Sequence, residues 1–285
     1  MRSIVLGATG VVGGHILEQL LQSGEMPFAL SRSPPTQDAR NVCWLRGDLT
    51  DLSTLALPDF STIYCTAHAG SLAAGLPHLL GPSVQRVVLF TSSSVVTKLN
   101  SDVAYEREGL QRLAAGEAAT IAFCEERGIA WTVLRPTIIY DEGRDVNISR
   151  LARLIAKFGV LPLAGWGDGL RQPVHAQDLA VGALQAAASR AARNKIYALP
   201  GGDTISYREM VGRIFDGLGK PRRIVPVPVA LWRVAFFLLQ RWLPNANASM
   251  GTRMSKDMIF DGAPARDDFG WNPRGFRPRF HGKLG

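Results

Sequence analysis

The chain has 285 residues, of which 46% are hydrophobic and 20% are charged, and this composition excludes a disordered or fibrous protein. The formal net charge is +8, but the arginines are scattered and no nucleic-acid motif accompanies them, so we expect no nucleic-acid partner. The three cysteines form no CxxC pair, so we expect neither a disulfide framework nor a metal site. The first apolar stretch is too short for a signal peptide, which favours a cytoplasmic protein.

The first half of the chain alternates short apolar runs with amphipathic stretches. Apolar runs predict strands at residues 3–6, 28–31, 42–45, 62–66, 86–91 and 131–134. Helical spacing predicts helices at 11–21 and 105–127. Such alternation requires crossover connections and a parallel sheet that is covered on both faces. We therefore predict an α/β fold with a doubly wound (Rossmann) parallel sheet in residues 1–140.

The second half has a different pattern, with more glycine and proline and predicted helices at 148–158, 176–192 and 206–218. We predict a smaller, mainly helical substrate lobe over residues 141–285, with residues 172–200 as a segment that returns to the first domain. The stretch 229–243 is strongly apolar but contains Arg233, and it is shorter than the ~20 apolar residues of a membrane span. We interpret it as a buried or interfacial helix. The alternative is contact with a membrane surface through Trp232, Phe236, Phe237 and Trp242.

A glycine-rich turn, GATGVVG at residues 7–13, joins the first predicted strand to the first predicted helix. In this position glycines allow a tight turn, a close approach of the main chain to a diphosphate, and close packing of helix on strand. The N–H groups and dipole of the helix then face the anion. We predict that this turn binds a dinucleotide, with a purely structural glycine turn as the alternative. The residues assigned to it are Gly7, Thr9, Gly10, Val11, Val12 and Gly13.

The end of the second strand indicates which dinucleotide is bound. An acidic side chain there would bind a free ribose diol, whereas an arginine would pair with a 2′-phosphate. The residues present are Ser31 and Arg32, followed by Ser33, with no carboxylate among them. Arginine forms bidentate, charge-assisted contacts with phosphate, so NADP(H) is favoured over NAD(H). The alternative is that Arg32 is a solvated loop cation.

Five segments together resemble the extended or atypical short-chain dehydrogenase/reductase superfamily, and within it the NAD-dependent epimerase/dehydratase group. They are residues 7–13 (GATGVVG), 47–51 (GDLTD), 86–94 (RVVLFTSSS), 134–136 (LRP) and 172–178 (QPVHAQD). The resemblance implies that Asp48 and Leu49 contact adenine, that Ala67 lines the adenosine pocket and that Pro136 lies near the nicotinamide. Asp48 is also suited to a turn or helix cap.

The resemblance also implies a reactive centre with a serine after the fifth strand and a Tyr-x-x-x-Lys pair on the next helix, which exchanges a proton with the substrate. Ser93 matches the serine, although a hydrogen-bonded serine turn without chemistry is an alternative. Tyr105 has Gly109 in the lysine position, and a register anchored on Glu117 places Gly109 and Leu113 where the pair should be. The pair is therefore absent. The remaining candidate catalytic residues are Ser93, Tyr105 and Lys98.

For the substrate side, the family places a small molecule between the sheet edge and the smaller lobe. The candidate contacts are Tyr140, Arg171 and His175, and a packing role for His175 is the preferred alternative. The predicted function is an oxidoreductase or epimerase that acts on a small carbonyl, hydroxyl or nucleotide-sugar substrate with an atypical proton-transfer site. The alternative is a catalytically silent NADP(H)-binding sensor or assembly subunit. The sequence predicts no oligomeric state.

Overall fold

The apolar runs of the first half pair into one parallel sheet. The structure is a computed structural model that describes residues 2–35, 41–97, 103–232, 254–280 and 282–284. Within these residues the main sheet has seven strands in the order β3-β2-β1-β4-β5-β6-β11, each parallel to its neighbours. The direction of winding reverses between β1 and β4, which defines a doubly wound sheet. The predicted fold class is confirmed.

The strands are β1 Ser3–Leu6, β2 Phe28–Ser31, β3 Cys43–Arg46, β4 Thr62–Cys65, β5 Arg86–Phe90, β6 Ala130–Pro136, β7 Ile139–Tyr140, β8 Leu161–Ala164, β9 Leu170–Arg171, β10 Val174–His175, β11 Lys195–Leu199, β12 Ile205–Ser206 and β13 Ile224–Val227. The helices are α1 Val11–Gln22, α2 Ala69–Leu79, α3 Ser94–Thr97, α4 Ala104–Glu126, α5 Ile148–Phe158, α6 Ala176–Ala188, α7 Tyr207–Gly217 and α8 Ala263–Phe269.

Helices pack in pairs on the main sheet, α1 against α6 and α2 against α4. The central strands are apolar on both faces because both faces are covered: Ile4, Val5, Val87 and Val88 have no solvent exposure. This burial explains why the strands appear in the sequence as continuous apolar runs rather than as alternating patterns. The carboxyl ends of β1 to β5 meet at one edge of the sheet.

Helix α2 and strand β11 are among the elements that have no counterpart in the sequence prediction. Helix α2 contains Gly70, Gly75 and Pro77, residues that lower helix propensity and conceal the helical spacing. Strand β11 lies at the edge of the sheet, and its first two residues, Lys195 and Ile196, are exposed. It therefore lacks the apolar run that identifies the central strands. The predicted helix at 176–192 ends at Ala188 instead.

The chain forms two compact units. The first, here called the sheet unit, comprises Met1–Thr137, Ala176–Leu199 and Asp261–Asn272, and the second unit comprises Ile138–His175, Pro200–Phe260 and Pro273–Gly285. The second unit contains α5, α7 and three two-stranded pairings. Its core is built from large buried side chains that include Tyr140, Ile155, Phe215 and Phe276.

None of the helices within the described residues is long and apolar enough to span a bilayer. Most of the apolar stretch 229–243 lies outside the described residues, and Phe236, Phe237 and Trp242 are among those not described. Trp232 is described and its side chain is half-buried.

Candidate functional site

The glycine turn after β1 has a geometry that only small residues allow. Gly7 has a φ of +81°, and a Cβ there would lie 2.6 Å from the Thr66 hydroxyl oxygen. That hydroxyl donates to the carbonyl oxygens of Leu6 and Gly7, at 3.2 and 3.1 Å. A Cβ at Gly13 would lie 2.3 Å from the Gly7 carbonyl oxygen. The turn, the end of β4 and the first turn of α1 are therefore in direct main-chain contact.

Helix α1 begins immediately after this turn. Gly10 is its N-cap in an extended conformation, and its N–H donates to the Gly7 carbonyl at 3.0 Å. The N–H groups of Val11, Val12 and Gly13 belong to the first turn, which has no intrahelical acceptors for them. The first turn also carries no acidic side chain. The start of α1 is thus a positive, uncapped main-chain site suited to an anion.

A cleft of about 680 Å³ opens at this edge of the sheet unit. It lies where the winding reverses, which is the general ligand position of open α/β sheets. It is lined by Leu6, Gly7, Thr9, Leu30, Ser31, Arg32, Ser33, Gly47, Asp48, Leu49, Thr50, Ala67, His68 and Ser71. The structure thus brings Gly7 and Thr9 of the predicted turn to one cavity with the predicted 2′-phosphate residues and the predicted adenine contacts. Gly10, Val11, Val12 and Gly13 of the turn are not among the residues that line it.

Arg32 and Asp48 are the two charged side chains on the cleft wall. Asp48 accepts hydrogen bonds from the Thr50 N–H at 2.9 Å and the Thr50 hydroxyl at 2.8 Å. The Thr50 N–H lowers the pKa of Asp48, and the Thr50 hydroxyl and the charge of Arg32 act in the same direction. Asp48 therefore organises its own turn and also lines the cleft. Its contact with adenine remains a prediction. Arg32 is exposed.

The sequence prediction missed His68 and Ser71, which line the same cleft from the start of α2. His68 is the N-cap of α2, and its Nδ1 accepts a hydrogen bond from the Gly70 N–H at 3.1 Å. Neither residue belongs to a motif. The signal available for His68 is a polar residue two positions after a predicted strand end. This signal can be used only if α2 is itself recognised in the sequence.

A second cluster lies at the ends of β5 and β6. The Glu117 carboxylate, in a residue that is 4% exposed, accepts a hydrogen bond from the Thr91 hydroxyl at 2.8 Å. Arg135 donates to both oxygens of the same carboxylate, with its Nε at 3.1 Å. Beside this cluster the N–H of Ser93 donates to the Pro136 carbonyl at 3.1 Å. The buried carboxylate therefore joins α4 to the two strand ends that carry Ser93 and Pro136.

The structure does not bring Tyr105 into this cluster. Tyr105 is 82% exposed and precedes Glu117 by twelve residues on one helix, about 18 Å along its axis. Gly109 has no side chain, so the lysine position relative to Tyr105 contributes no group to the site. Lys98 lies outside the described residues. The catalytic assignments of Ser93, Tyr105 and Lys98 remain predictions.

The predicted substrate contacts lie within the second unit. Tyr140 is 1% exposed and packs edge-on against the rings of His175 and Phe276, at 5.0 and 4.9 Å between centroids. Arg171 is 3% exposed, and its Nη1 donates to the carbonyls of Leu170 and Lys256, both at 2.7 Å. These contacts stabilise the interior of the unit. A role in substrate binding remains a prediction for all three residues.

Asp141, Glu142 and His175 form the group of possible metal ligands within the described residues, with ligand atoms within 4.8 Å of one another. Arg144 lies 3.2 Å from the Asp141 carboxylate, and Lys283 lies 3.8 Å from that of Glu142. Burial acts to raise the pKa of Glu142, but hydrogen bonds from His175 and the Arg279 N–H lower it to about 2. Because cations face both carboxylates, the arrangement fits an ion-pair network.

A protein-family model described as NAD(P)H-binding matches residues 7–154, slightly more than half of the chain. The matched segment contains the glycine turn, the residues that line the cleft except Leu6, and the Thr91–Glu117–Arg135 cluster.

Two curated relatives are similar over nearly the whole chain. The 2-alkyl-3-oxoalkanoate reductase of Stenotrophomonas maltophilia is 26% identical over 96% of this chain and 95% of its own length. The UDP-glucose 4-epimerase of Vibrio cholerae is 24% identical over 95% of this chain and 91% of its own length.

Among solved structures, the UDP-glucuronic acid 4-epimerase of Bacillus cereus in complex with UDP-glucuronic acid and NAD is similar with a TM-score of 0.70. The alignment covers 97% of this chain and 95% of that one, at 17% identity. At this identity the likeness supports the fold.

Proposed function

Because this chain belongs to the NAD(P)H-binding family and to the extended short-chain dehydrogenase/reductase superfamily, we propose that it is an NADP(H)-dependent oxidoreductase acting on a small carbonyl or hydroxyl compound. The family match confirms the resemblance that the sequence motifs indicate. The observation that carries the proposal is the cleft that joins the glycine turn to Arg32.

The residues of the cleft fit the two anionic parts of NADP(H). The start of α1 offers N–H groups that lack intrahelical acceptors, and Gly10 leaves the approach to them free of a side chain. These groups suit the diphosphate. Arg32 follows β2 and is exposed on the cleft wall, where its guanidinium suits a 2′-phosphate. Asp48, Leu49 and Ala67 line the same cavity and are assigned to the adenosine.

At the far end of the site we assign Ser93 and Pro136 to the nicotinamide side. When bound, the cofactor supplies or accepts a hydride. We expect the Ser93 hydroxyl to form a hydrogen bond with the substrate oxygen. The main chain of Ser93 is held in place by the hydrogen bond from its N–H to the Pro136 carbonyl oxygen. Gly109 and Leu113 supply no proton-transferring side chain, so proton exchange at this site does not use a tyrosine–lysine pair.

Replacement of Arg32 tests the cofactor preference. We expect Arg32→Ala to weaken NADPH binding about tenfold or more and to leave NADH binding unchanged, because a charge-assisted hydrogen bond contributes about 1.5–3 kcal/mol. Titration calorimetry with both nucleotides measures the two affinities. Arg46→Ala is the matched control, since Arg46 pairs with Ser31 on the neighbouring strand and is exposed but does not line the cleft. Equal losses for NADPH and NADH in Arg32→Ala would contradict the 2′-phosphate assignment.

A second candidate function is a catalytically silent NADP(H)-binding sensor or assembly subunit. The observation that favours it is the occupation of both pair positions by Gly109 and Leu113, with Tyr105 82% exposed. Turnover of NADPH with a panel of aldehydes, ketones and nucleotide sugars separates the two functions. Oxidation with any member of the panel supports the enzyme, whereas saturable binding without oxidation across the panel supports the silent protein.

A further inference from the structure

We infer that His68 is a further cofactor-binding residue, whose Nε2–H donates a hydrogen bond to the diphosphate of the dinucleotide. This inference rests on the proposed NADP(H) site and adds a side-chain donor to the main-chain groups at the start of α1. His68 belongs to none of the motifs that identify the family, and the structure places it on the wall of the cleft.

The hydrogen bond at Nδ1 fixes which nitrogen of His68 is the donor. Nδ1 accepts from the Gly70 N–H at 3.1 Å, so it carries no proton. In a neutral imidazole the other nitrogen then carries the proton and donates. Nε2 lies on the far side of the ring from Gly70, and the side chain is exposed and lines the cleft. His68 therefore presents a defined N–H donor to a bound ligand.

The position of this ring is set by the packing of α2 against α4. A Cβ at Gly116 would lie 2.3 Å from the Gly70 nitrogen, so the main chains of the two helices are in contact at this point. A Cβ at Gly70 would lie 3.2 Å from Nδ1 of His68. The hydrogen bond from the Gly70 N–H to Nδ1 and these contacts fix the Nδ1 side of the imidazole ring. The Nε2–H group is therefore oriented before a ligand binds.

The order of the strands identifies which part of the cofactor His68 reaches. His68 follows β4, Arg32 follows β2, and the glycine turn follows β1, which lies between them. Neighbouring strands are about 4.8 Å apart, so the main chains at His68 and Arg32 are about 10 Å apart on opposite sides of the turn. The diphosphate site at the start of α1 lies between the two. His68 is thus suited to the diphosphate and Arg32 to the 2′-phosphate.

The test separates the donor role of His68 from its role as a helix cap. Asparagine accepts the N-cap hydrogen bond well but lacks a group in the position of Nε2, so His68→Asn removes the donor and keeps the cap. His68→Ala removes both. The ligands are NADPH, NADH and ADP-ribose, which all contain the diphosphate, and adenosine 2′-monophosphate, which does not. Calorimetry gives the affinities, and thermal unfolding monitors the fold.

We expect His68→Asn to weaken NADPH, NADH and ADP-ribose by the same factor, about tenfold or more, because the lost hydrogen bond has a charged acceptor. Its affinity for adenosine 2′-monophosphate should be that of the parent protein. Arg32→Ala should instead weaken NADPH and adenosine 2′-monophosphate, which carry a 2′-phosphate, and leave NADH and ADP-ribose unchanged. Unchanged affinity for ADP-ribose in His68→Asn would overturn the inference. This holds even if His68→Ala binds ADP-ribose more weakly, because that loss would then come from the missing helix cap. Failure of the parent protein to bind any of the dinucleotides would instead overturn the proposed function together with it.

Discussion

Gly10, the N-cap of α1, shows how the proposed diphosphate site depends on a single missing side chain. The φ of −78° and ψ of 166° at Gly10 are accessible to any residue, so the backbone conformation does not require glycine here. Gly10 instead matters because it has no side chain that would cover the N–H groups in the first turn of α1. Aspartate at this position would cap α1 well and would place a carboxylate where we propose that the diphosphate binds. A Cβ at Gly10 would lie 3.2 Å from the Gly7 carbonyl oxygen, so thermal unfolding is measured to check the fold of Gly10→Asp. We expect this variant to bind NADPH and NADH at least a hundredfold more weakly in calorimetry.

Gly10→Asn is the control for this substitution, because asparagine has the size and capping ability of aspartate without its charge. It should retain more affinity than Gly10→Asp. If Gly10→Asp binds both nucleotides with the parent affinity, the assignment of the turn to the diphosphate is wrong.

Among individual residues, the sequence predicts those site residues that belong to a short local motif or follow a recognisable strand. The glycines of the turn are close in sequence, and Arg32 follows a recognisable strand. His68 reaches the same cavity from 61 residues beyond Gly7, and nothing local to it signals that proximity. Asp48 illustrates the intermediate case, in which the motif identifies the residue but only the structure shows its bonds to Thr50.

Among the elements, α4 holds the ends of β5 and β6 through one buried carboxylate. Glu117→Gln keeps an acceptor for Thr91 but leaves the guanidinium of Arg135 without its counter-charge. We expect a loss of about 3 kcal/mol in the free energy of unfolding, as for other broken buried pairs, measured by urea denaturation. Glu126→Gln, on the same helix, is the control.

The side chain of Glu126 is 75% exposed, and its carboxylate lies 3.5 Å from Arg127. An exposed pair contributes about 0–1 kcal/mol, so its replacement should change stability little. Similar losses in the two variants would show that burial of Glu117 does not contribute to the stability of these strand ends.

The elements also differ in how well the sequence predicts them. Helix α4 is predicted to within one residue at each end, since its 23 residues end before Gly128. Helix α2 is concealed by Pro77 and two glycines, and β11 by its exposed first residues. Tertiary packing against the sheet stabilises these elements where local propensity does not.

On the scale of the whole chain, Glu142 joins the loop after β7 to the C-terminal segment. Its pKa is lowered from 4.5 to about 2 in the folded protein. A carboxyl with a depressed folded pKa contributes stability that is complete above its unfolded pKa and is lost as the pH falls toward the folded value. We therefore expect the free energy of unfolding to fall between pH 4.5 and 2, by up to about 1.4 kcal/mol per pH unit from this group.

Glu142→Gln should remove that contribution, so its stability should depend less steeply on pH in this window when both proteins are unfolded with urea. Glu126→Gln serves as the control for the loss of one carboxylate. Identical pH profiles for the parent protein and Glu142→Gln would show that Glu142 has no role in acid stability.

The sheet unit takes its last segment, residues 261–272, from near the end of the chain. Trp271 is 4% exposed, and its ring leaves no room for a Cβ at Gly182 of α6. Asp268 accepts hydrogen bonds from the side chains of Tyr197 and Lys195 on β11. A nascent chain halted before residue 261 therefore has these surfaces of α6 and β11 uncovered. The unit that carries the glycine turn therefore cannot complete its packing until residues 261–272 have been synthesised, long after the turn itself.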